Sequence, residues 1–415
     1  MILNKPKTLI DNIHYGLLIV LILTMPYYIS NSWIGTLSIF IFLLAIINNK
    51  INLKSFLSKK PIVFLMLFIA MSYFSLLWSE NPLTPLSALK DFNEFKYYIL
   101  IIPGIYFSNL SQARLFFLFK VIAISPLAYI IIYYLNASGL TSIYSTHYYP
   151  ETGYIALYVD LIANIYIYLS ALYLYIKLFS SIHTKNKPKV LLYLVLFIFV
   201  SISLFIDPTT SSRTINLAFF LFLLAVPLYF FKAYIKFIIP ISLILFSLTV
   251  YLLINSSSFK TGVDELKLAI EKNSYSGSWG YRAGLMVVGY EIFKTSPILG
   301  NGNNVKTITL QIREKKPYLF AHHPLIHFHN EHIVILTKIG IVGYILFLIF
   351  LFYLFKLKLS SPEINTYKNI FILSLFIFFF GEQYFTFKAT TNAIAVLIAL
   401  FILQDKTTKK ETTHA

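Results

Sequence analysis

Two arginines and one histidine in this 415-residue chain have the type and position to do chemistry. Arg213 stands in the run Asp207-Pro-Thr-Thr-Ser-Ser-Arg-Thr-Ile-Asn-Leu217. Pro208 ends one apolar run there, the hydroxyl residues can cap the next, and the arginine falls in the first turn of a helix. A helix N-terminus already carries partial positive charge, so a guanidinium beside it makes an anion site whose fork matches phosphate geometry. The same side chain could instead snorkel to a membrane interface or pair with Asp207. Arg282, in Tyr281-Arg-Ala-Gly-Leu285, is read in the first turn of a helix running to about Lys294, a second candidate anion clamp. His329 closes a polar run that holds His322, His323, His327 and, just beyond it, His332. So many histidines invite a metal, but there is no HExxH, the chain has no cysteine, and His327-Phe328-His329 alternates as an extended segment would. Position argues for another role. Asn330 is a natural N-cap where the chain re-enters apolar sequence, so an imidazole held there can take a proton from a hydroxyl. Histidines that only solvate a loop end are the alternative.

The elements that must hold these residues are membrane spans. Of the chain, 58% is hydrophobic and only 12% charged, too few charges to cover a soluble surface. Apolar runs recur, and each must be helical in hydrocarbon so that its backbone hydrogen bonds close internally. Runs near 13–30, 33–47, 62–78, 95–108, 115–135, 154–179, 189–206, 213–231, 235–254, 331–355, 367–381 and 389–404 give about twelve spans and put both termini on one side. With that side cytoplasmic, its segments carry twenty lysines and arginines, against four (Lys90, Lys96, Arg213 and Lys388) in the short outer segments. The positive-inside rule thus fixes the orientation, and the net charge of +17 reads as topology rather than as affinity for nucleic acid.

The expected organisation is spans 1–9 over residues 1–254, a periplasmic loop domain over 255–330, and spans 10–12 with a cytoplasmic tail over 331–415. Within the loop, Lys260 to Lys272 has helical periodicity with a charged opposite face. Ser296-Pro-Ile-Leu-Gly-Asn-Gly302 stops the next helix; its glycines allow either close approach of backbone to a ligand or a plain tight turn. Glu382, Gln383 and Lys388, near the eleventh junction, are read as rim residues.

Four short motifs carry a resemblance. Arg213-Thr-Ile-Asn-Leu217 looks like Arg-x3-Leu at a span start, and Tyr281 to Leu285 like a loop arginine motif. Ser296 to Gly302 is similar to a Pro-hydrophobic-x-Gly-x-Gly turn. His329-Asn330, with Gly340 and Gly343 following, is similar to a ligase signature around an essential histidine. By these, the chain resembles the O-antigen ligases of Gram-negative inner membranes. The resemblance implies an all-α, GT-C-like integral membrane enzyme that transfers glycan from undecaprenyl diphosphate to a sugar hydroxyl of the lipid A core. Transfer would invert the anomeric centre on the periplasmic face, without metal or other cofactor. It further implies that His329 deprotonates the acceptor, that Arg213 and Arg282 bind the diphosphate, and that Asn330 and His327 support them.

Three other readings stand beside it. An O-antigen polymerase shares the donor, but the Arg-x10-Gly repeat of such enzymes is absent here: positions 224, 293 and 324 are Leu, Phe and Pro. A protein O-oligosaccharyltransferase tends to be longer, with an extra outer domain. A transporter or flippase would show discontinuous helices with charges inside the membrane.

Overall fold

The computed structural model is a helical bundle with a small helical unit packed on one end. It describes the chain from Leu9 to Thr412 except residues 28–30, 49–51, 79–94, 138–139, 141–147, 150–153, 156–159, 205–212, much of 232–256, 321–327 and 388–389. The bundle comprises α1 (Leu9–Thr24), α2 (Asn31–Asn48), α3 (Leu53–Leu57), α4 (Lys60–Phe74), α5 (Lys96–Tyr106), α6 (Gln112–Ala137), α7 (Asp160–His183), α8 (Lys187–Ser203) and α9 (Arg213–Phe230). The packed unit holds α10 (Ser257–Lys272), α11 (Gly277–Thr295) and α12 (Val305–Lys315). The chain then returns to the bundle with α13 (Glu331–Lys356), α14 (Pro362–Gly381) and α15 (Thr391–Thr412). Two residue pairs, Tyr148–Tyr149 and Tyr154–Ile155, make a minimal antiparallel ladder.

Among the described residues five helices are long and apolar enough to cross a membrane, and α1, α2, α9 and α15 supply shorter apolar stretches. Three expected spans stand differently, of which the run near 189–206 is the 17-residue α8. The run near 95–108 is α5, only 11 residues long, interrupted by Pro103 and buried on most of its surface. The ninth run, 235–254, lies largely outside the described residues. At the bundle centre, Ala393 to Leu403 of α15 are all but inaccessible, which explains why that helix reads apolar all round. The periphery is apolar as well: Leu191, Leu192 and Val195 of α8 are more than half exposed. Such residues cost nothing to expose to lipid, so the bundle is packed as a membrane protein is.

Several lysines are held at one end of the bundle. At the end where α13 finishes and α14 begins, Lys177 pairs with Glu363, and Lys368 donates to the carbonyls of Leu354 and Phe355 at 3.1 and 2.5 Å. Lys59 meets Asp405 at 2.5 Å. All three lysines belong to the basic set that the sequence expectation places on the cytoplasmic side. The opposite end holds the start of α13 and the end of α14, and there the packed unit sits. It has its own core, with Leu285, Val288 and Ile292 of α11 against Leu319, Phe320 and Phe328. Glu265 of α10 ties this unit at its base, its Oε2 accepting from Trp279 N–H at 2.7 Å in the first turn of α11.

The Ser296–Gly302 turn is docked against a break in α13. At Gly340 the backbone leaves helical geometry (φ 72°, ψ −169°), a region open in practice only to glycine. The break frees the amides of Ile341 and Val342, which donate to the carbonyls of Pro297 and Ile298 at 2.9 and 3.2 Å. Asn301 N–H in turn donates to Thr337 O at 2.9 Å, and Trp78 Nε1–H to Gly300 O at 3.0 Å. The glycines of the turn therefore serve close approach of backbone to backbone, between α13 and the turn. A Cβ at Gly340 would stand 2.3 Å from Ile298 O. Gly340→Ala is expected to destabilise the fold by about 3 kcal/mol or more, from a strained backbone plus a steric clash. Thermal unfolding in detergent reads this, with Gly16→Ala, where nothing lies within 4 Å, as a control that melts no lower than the parent.

Candidate active site

The chain leaves the core of the packed unit at Phe328, turns at His329 and enters α13 at Glu331. His329 has a left-handed backbone (φ 48°), which among non-glycine residues is tolerated best by Asn, Asp and His. Its neighbours hold it there. Phe328 is buried, and Asn330 caps α13 by accepting from Ile333 N–H at 3.1 Å. Asn330 Nδ2 also donates to Phe380 O at 3.4 Å, binding the start of α13 to the end of α14.

That contact brings His329 to Glu382, the residue that ends α14. His329 Nδ1 lies 2.8 Å from Glu382 Oε2, and Arg282 Nη2 lies 3.4 Å from Glu382 Oε1. One carboxylate thus joins the histidine and one of the two arginines. Glu382 is 15% exposed, against 33% for His329 and 41% for Arg282. The carboxylate forms the floor, and the two basic groups reach towards solvent. Arg282 is oriented from its own helix, Nη1 donating to Ser278 Oγ at 3.0 Å one turn back. Its Nε is buried and makes no hydrogen bond among the described residues. The Arg282–Glu382 pair is long and half exposed, a geometry worth at most about 1 kcal/mol, so an incoming anion can compete for the guanidinium. Next to it, burial raises the Tyr281 phenol above its ordinary value, so that hydroxyl stays protonated at neutral pH.

The structure corrects the sequence reading of Arg282 in one respect. Its helix opens at Gly277 rather than near Tyr281, so the arginine stands beyond the first turn. Glu265 occupies the Trp279 amide in that first turn, and Arg282 acts through its side chain rather than with a helix N-terminus. Arg213 is the first residue of α9, as its sequence suggests; its side chain lies outside the described residues. Its neighbour Thr214 packs against Gly381, where a Cβ would meet Thr214 Cγ2 at 2.2 Å. The start of α9 therefore abuts the residue preceding Glu382, and Arg213 enters the chain at the same corner. His322, His323 and His327 lie outside the described residues. His332 is not part of the corner. It is buried in α13 with Nδ1 3.0 Å from the Tyr344 hydroxyl, ringed by Phe376, Phe379 and Phe380. Among the described residues no group of three or more histidine or carboxylate side chains is placed to hold a metal ion.

Glu382 is the residue that sequence reasoning left on the rim. A signal for it exists. A helix C-terminus carries partial negative charge, so a carboxylate capping α14 is electrostatically unfavourable unless a cation or a hydrogen-bond donor faces it. Arg282 and His329, 100 and 53 positions away in sequence, are what face it.

Fold and site together define a multi-pass helical membrane protein with a carboxylate-linked arginine and histidine at one end of its bundle. Residues 195–348 match the family model described as O-antigen ligase, which supports the O-antigen ligase superfamily, whose members are glycosyltransferase-like enzymes. The match takes in Arg213, Arg282 and His329 and stops short of Glu382. Comparison with curated proteins returns no match to the chain.

Proposed function

We propose that the chain is an O-antigen ligase of lipopolysaccharide biosynthesis. In this reading it moves a glycan from undecaprenyl diphosphate to a sugar hydroxyl of the lipid A core, at the periplasmic face of a Gram-negative inner membrane. The observation that carries this reading is Glu382 bridging His329 and Arg282, which sets a base beside an anion-binding group.

The chemistry follows from the two contacts. The acceptor oxygen attacks the anomeric carbon from the face opposite the diphosphate, so the C–O bond to the leaving group breaks as the new one forms, with inversion. His329 takes the acceptor proton. With Nδ1 directed at Glu382, Nε2 is the nitrogen that receives it, and the carboxylate stabilises the imidazolium that results. Arg282 neutralises charge developing on the departing diphosphate, with Arg213 as its partner from the start of α9. Guanidinium groups thereby fill the part a divalent cation plays in other diphosphate chemistry, and the reaction is metal-independent. The lysines gathered at the opposite end of the bundle support the orientation, since that end would face the cytoplasm.

Purified protein given a polyprenyl-diphosphate glycan together with lipid A core and chelator is expected to place glycan on the core. Growth of longer lipid-linked chains instead would mark a polymerase. Transfer to serine or threonine of a protein acceptor would mark an oligosaccharyltransferase. Abolition of transfer by the chelator would end the metal-free mechanism.

A further inference from the structure

Glu331 is the least expected group near this corner. It is the first residue of α13, two positions after His329, and its carboxylate is 0% exposed. Buried carboxylates are costly unless every lone pair that matters is used. Here three donors meet it. Oε2 accepts from the backbone N–H of Phe385 at 2.7 Å and of Thr386 at 3.2 Å, and Oε1 from the Thr386 hydroxyl at 2.6 Å. All three lie on the segment that follows Glu382.

We infer that Glu331 is a positioning residue for this site, holding the segment after Glu382 so that the Glu382 carboxylate meets His329. The segment is gripped on both sides of Glu382. Before it, Asn330 Nδ2 donates to Phe380 O; after it, Glu331 takes the amides of Phe385 and Thr386. Both grips come from residues contiguous with His329, so histidine and carboxylate are set by one rigid piece of chain. The far side is also fixed: the Tyr98 hydroxyl donates to Phe385 O at 2.9 Å, and the Phe385 ring stacks on Tyr98 at 4.7 Å between centroids. With its N–H on Glu331, its carbonyl on Tyr98 and its ring in the aromatic core, Phe385 has no freedom to carry Glu382 elsewhere. A leucine at 331 supplies no acceptor to these three donors, whereas a glutamine keeps all three bonds, its oxygen taking the two amides and its NH2 donating to the Thr386 hydroxyl.

The inference rests on the transfer reading only for its kinetic consequence, and the test separates the two. Glu331→Leu, which removes every acceptor, is expected to lower kcat at least tenfold with the KM for the polyprenyl-diphosphate donor within twofold, because Arg282 is untouched. Glu331→Asp, which keeps three acceptor positions, should recover part of that loss, and the melting temperature in detergent shows whether each variant is folded. Should Glu331→Leu not fold, Thr386→Val removes a single donor and should still lower kcat several-fold. Independently of any reaction, the chain has no native cysteine, so His329→Cys/Glu382→Cys can be joined by a short thiosulfonate crosslinker. Adding Glu331→Leu should slow that crosslinking several-fold. Unchanged kcat in a folded Glu331→Leu protein, or an unchanged crosslinking rate, overturns the inference. If the parent makes no glycan product at all, the functional reading fails and the crosslinking arm still decides the role of Glu331.

Discussion

His329→Ala lowers glycan transfer by about 10²–10⁴-fold, the range expected when a general base is removed from a reaction whose other parts remain. The loss is expected in kcat, with donor KM little changed, since the proposed mechanism leaves the diphosphate to Arg282 and Arg213. His329 has a left-handed backbone (φ 48°), so alanine there also strains the fold, by about 1 kcal/mol. His329→Asn is the better comparison, because asparagine tolerates that conformation and yet offers no ring nitrogen to take a proton. Steady-state transfer to lipid A core by both variants, with melting curves alongside, checks this. Near-parental turnover in a folded His329→Asn protein would remove the histidine from the mechanism.

Arg282→Ala is the second large effect, about 10²–10³-fold in kcat/KM, as expected when a preorganised charge facing the leaving group is deleted. Two contributions add in this variant. The diphosphate loses the guanidinium proposed to face it, and Glu382 loses the arginine of its two partners while remaining at the C-terminus of α14. Arg282→Lys keeps the charge but not the fork that reaches both Ser278 and Glu382, so it should recover only part of the rate. Inhibition by inorganic pyrophosphate reads the binding part separately: it should weaken in Arg282→Ala and persist in His329→Asn. Equal inhibition of all three proteins would mean that Arg282 does not contact the diphosphate.

How much of this was legible beforehand follows from what sequence patterns record. Apolar runs mark helices directly, because hydrocarbon leaves the backbone no other way to satisfy itself, and α4, α6, α7, α13 and α14 fall where the pattern puts them. The N-cap at Asn330 and the turn at Ser296–Gly302 were local signals and appear as local structure. The start of α11 was displaced, because its N-terminal amide is taken by Glu265, a residue from another helix that no local motif announces. Gly340 could be noted as a spacing, but its purpose depends on the Pro297 and Ile298 carbonyls some forty positions earlier. Glu382 was hidden for the same reason. Its two partners come from α11 and from the entry to α13, and a lone carboxylate at a span end looks in sequence like any other rim residue.

The central claim is that His329 and Glu382 act as one unit beside Arg282, and a cycle of single-turnover transfer rates tests it most directly. The rates needed are those of the parent, His329→Asn, Glu382→Gln and the double variant, with donor in excess of KM. If the carboxylate works through the imidazole, the double variant is no slower than His329→Asn alone. Losses that multiply would show the two groups acting independently and would contradict the account.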